Sequence, residues 1–206
     1  MRIEEIMNAA SVIPVLEVER LADAAPLARA LAAGGLRVVE LTLRTACALD
    51  AMAEMKRAAP SLLVGMGTIR TGADVERSLA AGADFLVSPG ATPELLAAMR
   101  AGPALPGVAT ASEAMAAADA GFRALKFFPA EPAGGVGFLR SLAGPLPDIR
   151  FCPTGGIDAE RAADYLKLPN VPCVGGSWIA AKPMISAADW RVIESNARRA
   201  SALKSR

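Results

Sequence analysis

Apolar and polar positions along this chain repeat with two different periods, one suited to strands and one to helices. Short runs rich in β-branched and other apolar residues read as strands: "VIPVLEV" from 12, "VVELTLR" from 38, "LLVGMGT" from 62, "DFLVSPG" from 84, "ALPGVAT" from 104, "ALKFFP" from 124, "IRFCPTGG" from 149 and "VPCVGG" from 172. Between them lie segments such as "ADAAPLARALAAGG", "CALDAMAEMKRAAP" and "GADVERSLAAGA", with apolar residues at helical spacing and Gly or Pro where a helix should stop. Successive runs begin 20 to 26 residues apart, the length of one strand, loop and helix. Eight such units, with no linker and no shift in composition, predict an α/β fold: a (β/α)8 TIM barrel spanning 1–206 as one domain, with "MRIEEIMNAA" as an additional N-terminal helix. An open doubly wound sheet is the alternative.

In a barrel, chemistry belongs at the C-terminal ends of the strands and in the loops that follow. Alternation along "VVELTLR" puts Val39, Leu41 and Leu43 on one face and Val38, Glu40, Thr42 and Arg44 on the other. If the apolar face meets the helices, Glu40 points into the barrel, where a carboxylate is expensive unless paired or used. The same reasoning turns Ala124, Lys126 and Phe128 inward and Leu125 and Phe127 outward. The second and sixth runs stand opposite in a ring of eight, so Glu40 and Lys126 are expected to be neighbours. Of the five lysines, Lys56, Lys167, Lys182 and Lys204 fall where a helix or loop would expose them, and only Lys126 reads as buried.

An ordinary lysine is almost wholly protonated at neutral pH, and burial favours the neutral amine that a nucleophile requires. A close carboxylate opposes that effect, so a reactive pairing is expected to work best bridged by water or substrate. A lysine and a carboxylate so arranged suit imine chemistry on a carbonyl compound, with the carboxylate moving protons. The bland reading, a structural Glu40–Arg44 or Glu40–Lys126 ion pair, fits the periodicity equally well.

Composition narrows the chemistry. The chain has no histidine, and Cys47, Cys152 and Cys173 are odd in number and lack metal-ligand spacing. Reduced, packed thiols are expected, with no metal site and no cofactor. A formal net charge of +1 gives no electrostatic case for nucleic acid. The longest uncharged stretch, "LPNVPCVGGSWIAA" at 168 to 181, is too short and too rich in Pro and Gly to span a bilayer. The acidic start lacks the features of a signal peptide, so a cytoplasmic protein is expected.

Two glycine turns close the chain's later strands: "TGGID" at 154 to 158 and "GGSW" at 175 to 178, where barrels commonly hold phosphate. Gly155, Gly156, Gly175 and Gly176 would let backbone N–H groups approach an anion, and Ser177 would add a hydroxyl at a helix start. Thr68 in "MGT" could bind a carboxylate, and Pro89 in "SPG" could shape the pocket.

Taken together, "VVELTLRT", "VGMGTI", "FLVSPG", "ALKFFPAE", "FCPTGGI" and "CVGGSW" resemble the bacterial KDPG/KHG aldolase family, over nearly the whole chain from 12 to 178. The resemblance implies a class I aldolase without cofactor, a homotrimer of barrels. Its implied reaction is cleavage of 2-keto-3-deoxy-6-phosphogluconate to pyruvate and glyceraldehyde 3-phosphate in the Entner–Doudoroff pathway. It further implies Lys126 as the Schiff-base lysine and Glu40 as the general acid/base. Arg44 and Thr68 would bind the pyruvyl carboxylate, Pro89 and Phe128 would wall the pocket, and Gly155, Gly156, Gly176 and Ser177 would take the phosphate. A threonine at 154 goes, in the resembling family, with the gluconate-derived substrate. One departure is Ala111, where many members have Pro or Val; it is expected to alter packing more than chemistry.

Other activities share these groups: 4-hydroxy-2-oxoglutarate aldolase, oxaloacetate decarboxylase, or a metal-free phosphosugar isomerase. A phosphate-ligand binding protein would explain the glycine turns but not Lys126 beside Glu40. "PELLAAMRAG" could cover the barrel or a neighbouring subunit, and "RVIESNARRASALKSR" reads as an exposed amphipathic helix.

Overall fold

In the computed structural model, which describes residues 1–203, the strand-like runs form parallel strands and the segments between them helices. Lys204 and the end of the tail lie outside the described residues. The strands are β1 (Val12–Leu16), β2 (Val38–Thr42), β3 (Leu63–Gly67), β4 (Leu86–Val87), β5 (Ala104–Leu105), β6 (Gly107–Val108), β7 (Ala124–Phe127), β8 (Arg150–Pro153) and β9 (Val174–Gly176). They pair as a six-stranded sheet, β5-β4-β3-β2-β1-β9, and a three-stranded sheet, β6-β7-β8.

The fifth run was expected as one strand and is two, because of Pro106. Proline has no N–H to give a ladder, so the run bends there. Before the bend, Leu86 and Val87 register with Ala104 and Leu105; after it, Gly107 and Val108 register with Lys126 and Phe127. The Pro106 carbonyl still accepts the Lys126 N–H, at 2.9 Å. One stave thus serves both sheets. The opposite seam is closed by a single bridge between Thr154 and Gly175, and the eight staves form a ring.

Alternation sorts the side chains as expected. Val39, Leu41, Leu125 and Phe127 belong to the outer core under the helices, whereas Val38 and Ala124 belong to a smaller cluster inside the ring with Ile13, Phe85, Cys152 and Cys173. Helix α1 (Ile3–Asn8) adds Ile6 and Met7 to that cluster and so plugs the N-terminal end of the ring. Burial of those apolar side chains, about 1.5–3 kcal/mol each, favours closure at this end. The polar chemistry is left to the other.

The crossover helices are α2 (Leu21–Ala33), α3 (Ala48–Ala58), α4 (Gly72–Ala80), α5 (Pro93–Met99), α6 (Ala111–Asp119), α7 (Gly135–Leu142) and α8 (Ala159–Tyr165). Leu95, Leu96 and Met99 of α5 are buried within the chain, so "PELLAAMRAG" covers the barrel. After β9 come α9 (Lys182–Ser186) and α10 (Trp190–Ser201). The latter corrects the expectation of an exposed helix: Ile193, Ala197 and Ala200 are buried, and the Ser201 hydroxyl donates to the Gly34 carbonyl at 2.9 Å, at the end of α2. Its amphipathic pattern packs an apolar stripe on the barrel instead of leaving it free. Among the described residues no helix is long and apolar enough to cross a membrane. The cysteines are free thiols, and the Cys173 thiol is pushed well up by its hydrogen bond with Cys152 and by burial, which makes it a poor nucleophile.

Local sequence fixes the start of α4. Thr71 caps α4 by accepting the Asp74 N–H, while the Asp74 carboxylate takes the N–H groups of Arg70 and Thr71. Burial pushes the Asp74 carboxyl up, but those backbone bonds and Arg77 outweigh it and hold it below its ordinary value. Its contribution is therefore present above the ordinary aspartate range and lost as pH falls through the lower folded value. Thr71→Ala should lower stability by about 1 kcal/mol at neutral pH in urea melts, and the deficit of Asp74→Asn should shrink in acid. A deficit for Asp74→Asn that grows in acid would reverse this assignment.

Candidate active site

Lys126 sits on the inward face of β7 and Glu40 on that of β2, from the two different sheets. Both are buried, with side chains 7% and 5% exposed, and they meet directly: Lys126 Nζ lies 3.0 Å from Glu40 Oε1 and 3.3 Å from Oε2. The two inward side chains span the ring and touch directly. The Lys126 ammonium also lies 5.3 Å from the centroid of the Phe128 ring, within cation–π range.

Room for this pairing comes from a residue the sequence reading passed over. Glu40 registers with Gly65, and its carboxyl leans over Gly67 at the end of β3; a Cβ at Gly67 would collide with that carboxyl. Glycine at this position is a steric requirement of the pair. Its only signal in the chain was a second glycine, two places on, in a strand-like run.

At the C-terminal end of the strands opens a cavity of about 300 Å³, lined near the pair by Thr42 and Phe128 and not by Glu40, Lys126 or Thr68 themselves. Thr42, Arg44, Phe128, Thr154, Gly155, Gly156, Gly176 and Ser177 line it. Thr42 is tied down through its hydroxyl, which donates to the Leu16 carbonyl at 2.9 Å. Arg44 leaves the end of β2 and donates from Nε to Thr68 Oγ1 at 3.2 Å. Thr68 has φ +63°, a left-handed conformation rarely held by a β-branched residue. Such strain costs of order 1–3 kcal/mol and gathers at functional sites; here it accompanies the hydroxyl's contact with Arg44.

The first glycine turn carries Gly155 at φ +106° and Gly156 at φ +77°, values that admit glycine readily and other residues poorly. It is braced from behind: the Arg161 guanidinium donates to the Gly156 carbonyl at 2.9 Å and pairs with Glu131, which also accepts from the Tyr165 hydroxyl. Burial and the neighbouring carboxylate push the Tyr165 hydroxyl well above its ordinary value, so it stays a donor. The Thr154 hydroxyl rests against Gly175 across the seam and lies 3.4 Å from the Cys152 carbonyl.

Two expectations need correction. Ser177 lies in a turn and not at a helix start; the next helix begins at Lys182 and is five residues long. The glycine pair before it ends a strand, and the chain needs several residues to turn before Pro183 can open a helix. Pro89, like Thr68, Glu40 and Lys126, is not among the cavity-lining residues; unlike Glu40 and Lys126 it is exposed, and its backbone packs over Gly107, where a Cβ would collide with it.

Two charged residues had no expected place at the site: Glu17, and Lys182, which read only as an exposed lysine. Glu17, just beyond β1, accepts from Arg44 Nη1 at 3.2 Å and from Lys182 Nζ at 3.4 Å, and both Glu17 and Lys182 line the cavity. Lys182 also pairs with Glu19 at 2.7 Å.

The chain matches a family model for KDPG and KHG aldolase over residues 3–196. It is 48% identical over 204 residues to the 2-dehydro-3-deoxy-phosphogluconate aldolase of Pseudomonas aeruginosa, covering 97% of this chain and 91% of that protein. It is 45% identical to the KHG/KDPG aldolase of Escherichia coli K12, over 96% of this chain and 93% of the relative. Among solved structures, a KDPG aldolase from Legionella pneumophila, with pyruvate captured at low pH as a covalent carbinolamine intermediate, aligns with a TM-score of 0.95. That alignment has 43% identity and covers 98% of this chain and 99% of the other. With a closed ring of parallel strands, a lysine and a carboxylate buried at its centre and this extent of similarity, the chain belongs to the KDPG and KHG aldolase family.

Proposed function

We propose that this chain is a class I aldolase that cleaves 2-keto-3-deoxy-6-phosphogluconate to pyruvate and glyceraldehyde 3-phosphate. The observation that carries the reading is a buried lysine bonded to a buried carboxylate, on the two strands whose ends, at Thr42 and Phe128, line a cavity walled by glycine turns. Lys126 Nζ passes a proton to Glu40 and attacks the C2 carbonyl carbon. Glu40 returns that proton to the carbinolamine hydroxyl, which leaves as water, so that a protonated imine forms and the carboxylate is restored. Glu40 next takes the C4 hydroxyl proton, directly or through water, as the C3–C4 bond breaks and its electron pair flows into the imine. Glyceraldehyde 3-phosphate departs, Glu40 passes the proton it took to C3 of the resulting enamine, and water hydrolyses the imine to release pyruvate and the lysine amine.

Arg44 and Thr68, joined at the rim, hold the substrate carboxylate; Phe128 packs against the reacting carbons beside Lys126. Gly155, Gly156, Gly176 and Ser177 receive the phosphate through uncharged N–H and O–H donors. Pro89 supports the wall from outside through Gly107. Residues 1–206 act as one aldolase domain, in the cytoplasm and in the Entner–Doudoroff pathway, and three copies assemble. The test is release of pyruvate from the phosphorylated substrate, followed by lactate dehydrogenase and NADH. Failure to release it while 4-hydroxy-2-oxoglutarate or oxaloacetate is consumed would move the function to those reactions, which use the same lysine.

Selectivity for the gluconate-derived over the galactonate-derived epimer, which differ at C4, rests on Thr154. Its buried hydroxyl faces the cavity's seam with only a 3.4 Å bond of its own. Thr154→Val should shift the ratio of kcat/KM values toward the galactonate-derived epimer by about 5–150-fold, the value of one hydrogen bond to substrate. Equal losses on both epimers would leave Thr154 a structural residue.

A further inference from the structure

The cavity lining carries two cations, Arg44 and Lys182, and one anion, Glu17, which touches both. A keto acid phosphorylated at its far end brings a carboxylate and a phosphate to opposite ends of this space. Arg44, tied to Thr68, stands at the strand-two side. The glycine turns offer the phosphate uncharged donors only, which leaves Lys182 as the remaining cation of the lining. We propose that Lys182 is the charge partner of the distal phosphate and that Glu17 sets selectivity by competing for both cations, an inference that rests on the aldolase reading above.

Three features of the chain support it. The Lys182 side chain is half exposed, at 52%, and its partners Glu17 and Glu19 are single-point contacts at 3.4 and 2.7 Å, so the ammonium can exchange them for a stronger anion without disturbing the core. The two carboxylates, Glu19 first, push the Lys182 ammonium up, so it keeps its charge where a phosphate ester is dianionic. Glu17 is the only acidic residue of that lining and lies between the two cations. It therefore repels any anion that fails to engage both cations, and a ligand with charge at both ends displaces both of its contacts together. A substrate with a charge at one end displaces one contact and leaves Glu17 as a repulsive neighbour.

Binding of glycerol 3-phosphate, measured by calorimetry and so independent of cleavage, reads the distal subsite; borohydride trapping of pyruvate reads the imine end. Lys182→Met should weaken glycerol 3-phosphate about 10-fold or more, the range of one charge-assisted bond, and should slow pyruvate trapping far less. Lys182→Arg should restore most of the affinity. Glu17→Gln should act in the opposite direction, tightening glycerol 3-phosphate several-fold and narrowing the preference for phosphorylated over unphosphorylated keto acids. An unchanged dissociation constant in Lys182→Met, equal losses at both ends, or no binding to the unaltered protein would overturn the proposal. If the binding pattern holds while the phosphorylated keto acid is not cleaved, the aldolase reading fails and the anion subsite stands.

Discussion

Borohydride reduction in the presence of pyruvate should fix the keto acid to Lys126 and to no other lysine, and Lys126→Ala should remove the label completely. Imine formation needs an amine that can lose its proton beside the carbonyl and a base that can take it. Lys126 is buried inside the ring with a carboxylate, Glu40, 3.0 Å away. Lys56 is bonded to the Gly82 carbonyl and Asp84 outside the ring, and Lys167 to Asp164. Lys182 stands at the rim with Glu17 and Glu19. Removing one partner of a buried pair strands the other charge, at about 3–5 kcal/mol. For that reason Lys126→Arg, which keeps a cation opposite Glu40, should be run beside Lys126→Ala with circular dichroism as a check on folding. Both variants should be unlabelled and inactive; peptide mapping that finds pyruvate on Lys56 or Lys182 would end the assignment.

Glu40→Gln should lower kcat by about 10²–10⁴-fold, the usual range for a lost general base. The amide keeps the size of the side chain and the space over Gly67, so Lys126 stays in place and pyruvate trapping persists at a reduced rate. Exchange of the pyruvate methyl protons with solvent, which reports protonation of the enamine at C3, should slow in step with kcat. An unchanged kcat would reduce Glu40 to an ion-pair partner that keeps the lysine soluble in the core.

Much of this site was legible because a strand's two-residue period dictates which side chains share a face. Val38, Glu40 and Thr42 on one stave, and Ala124 and Lys126 on another, had to point the same way once the apolar alternates were assigned to the helices. The rest depended on how staves sit against each other. That Gly67 lies under the Glu40 carboxyl follows from the β2–β3 register, which no local pattern encodes. The break at Pro106 was visible as a proline, yet its effect, one stave shared between two sheets, is a property of ring closure. Glu17 and Lys182 were hidden for another reason. They are 165 residues apart in the chain, and each looks like an ordinary surface charge until the ring brings its ends together.

The two sheets meet at Pro106 on one side and at a single bridge, Thr154 to Gly175, on the other. Lys126 belongs to the smaller sheet and Glu40 to the larger, so the bond between them runs across the ring like a tie rod between the halves of a split hoop. Its length is set by circumference and not by any one strand. Loosening either clasp, with every helix still formed, would lengthen the span that these two side chains have to cover. In this architecture the contact between the two side chains is gauged against the girth of the whole ring.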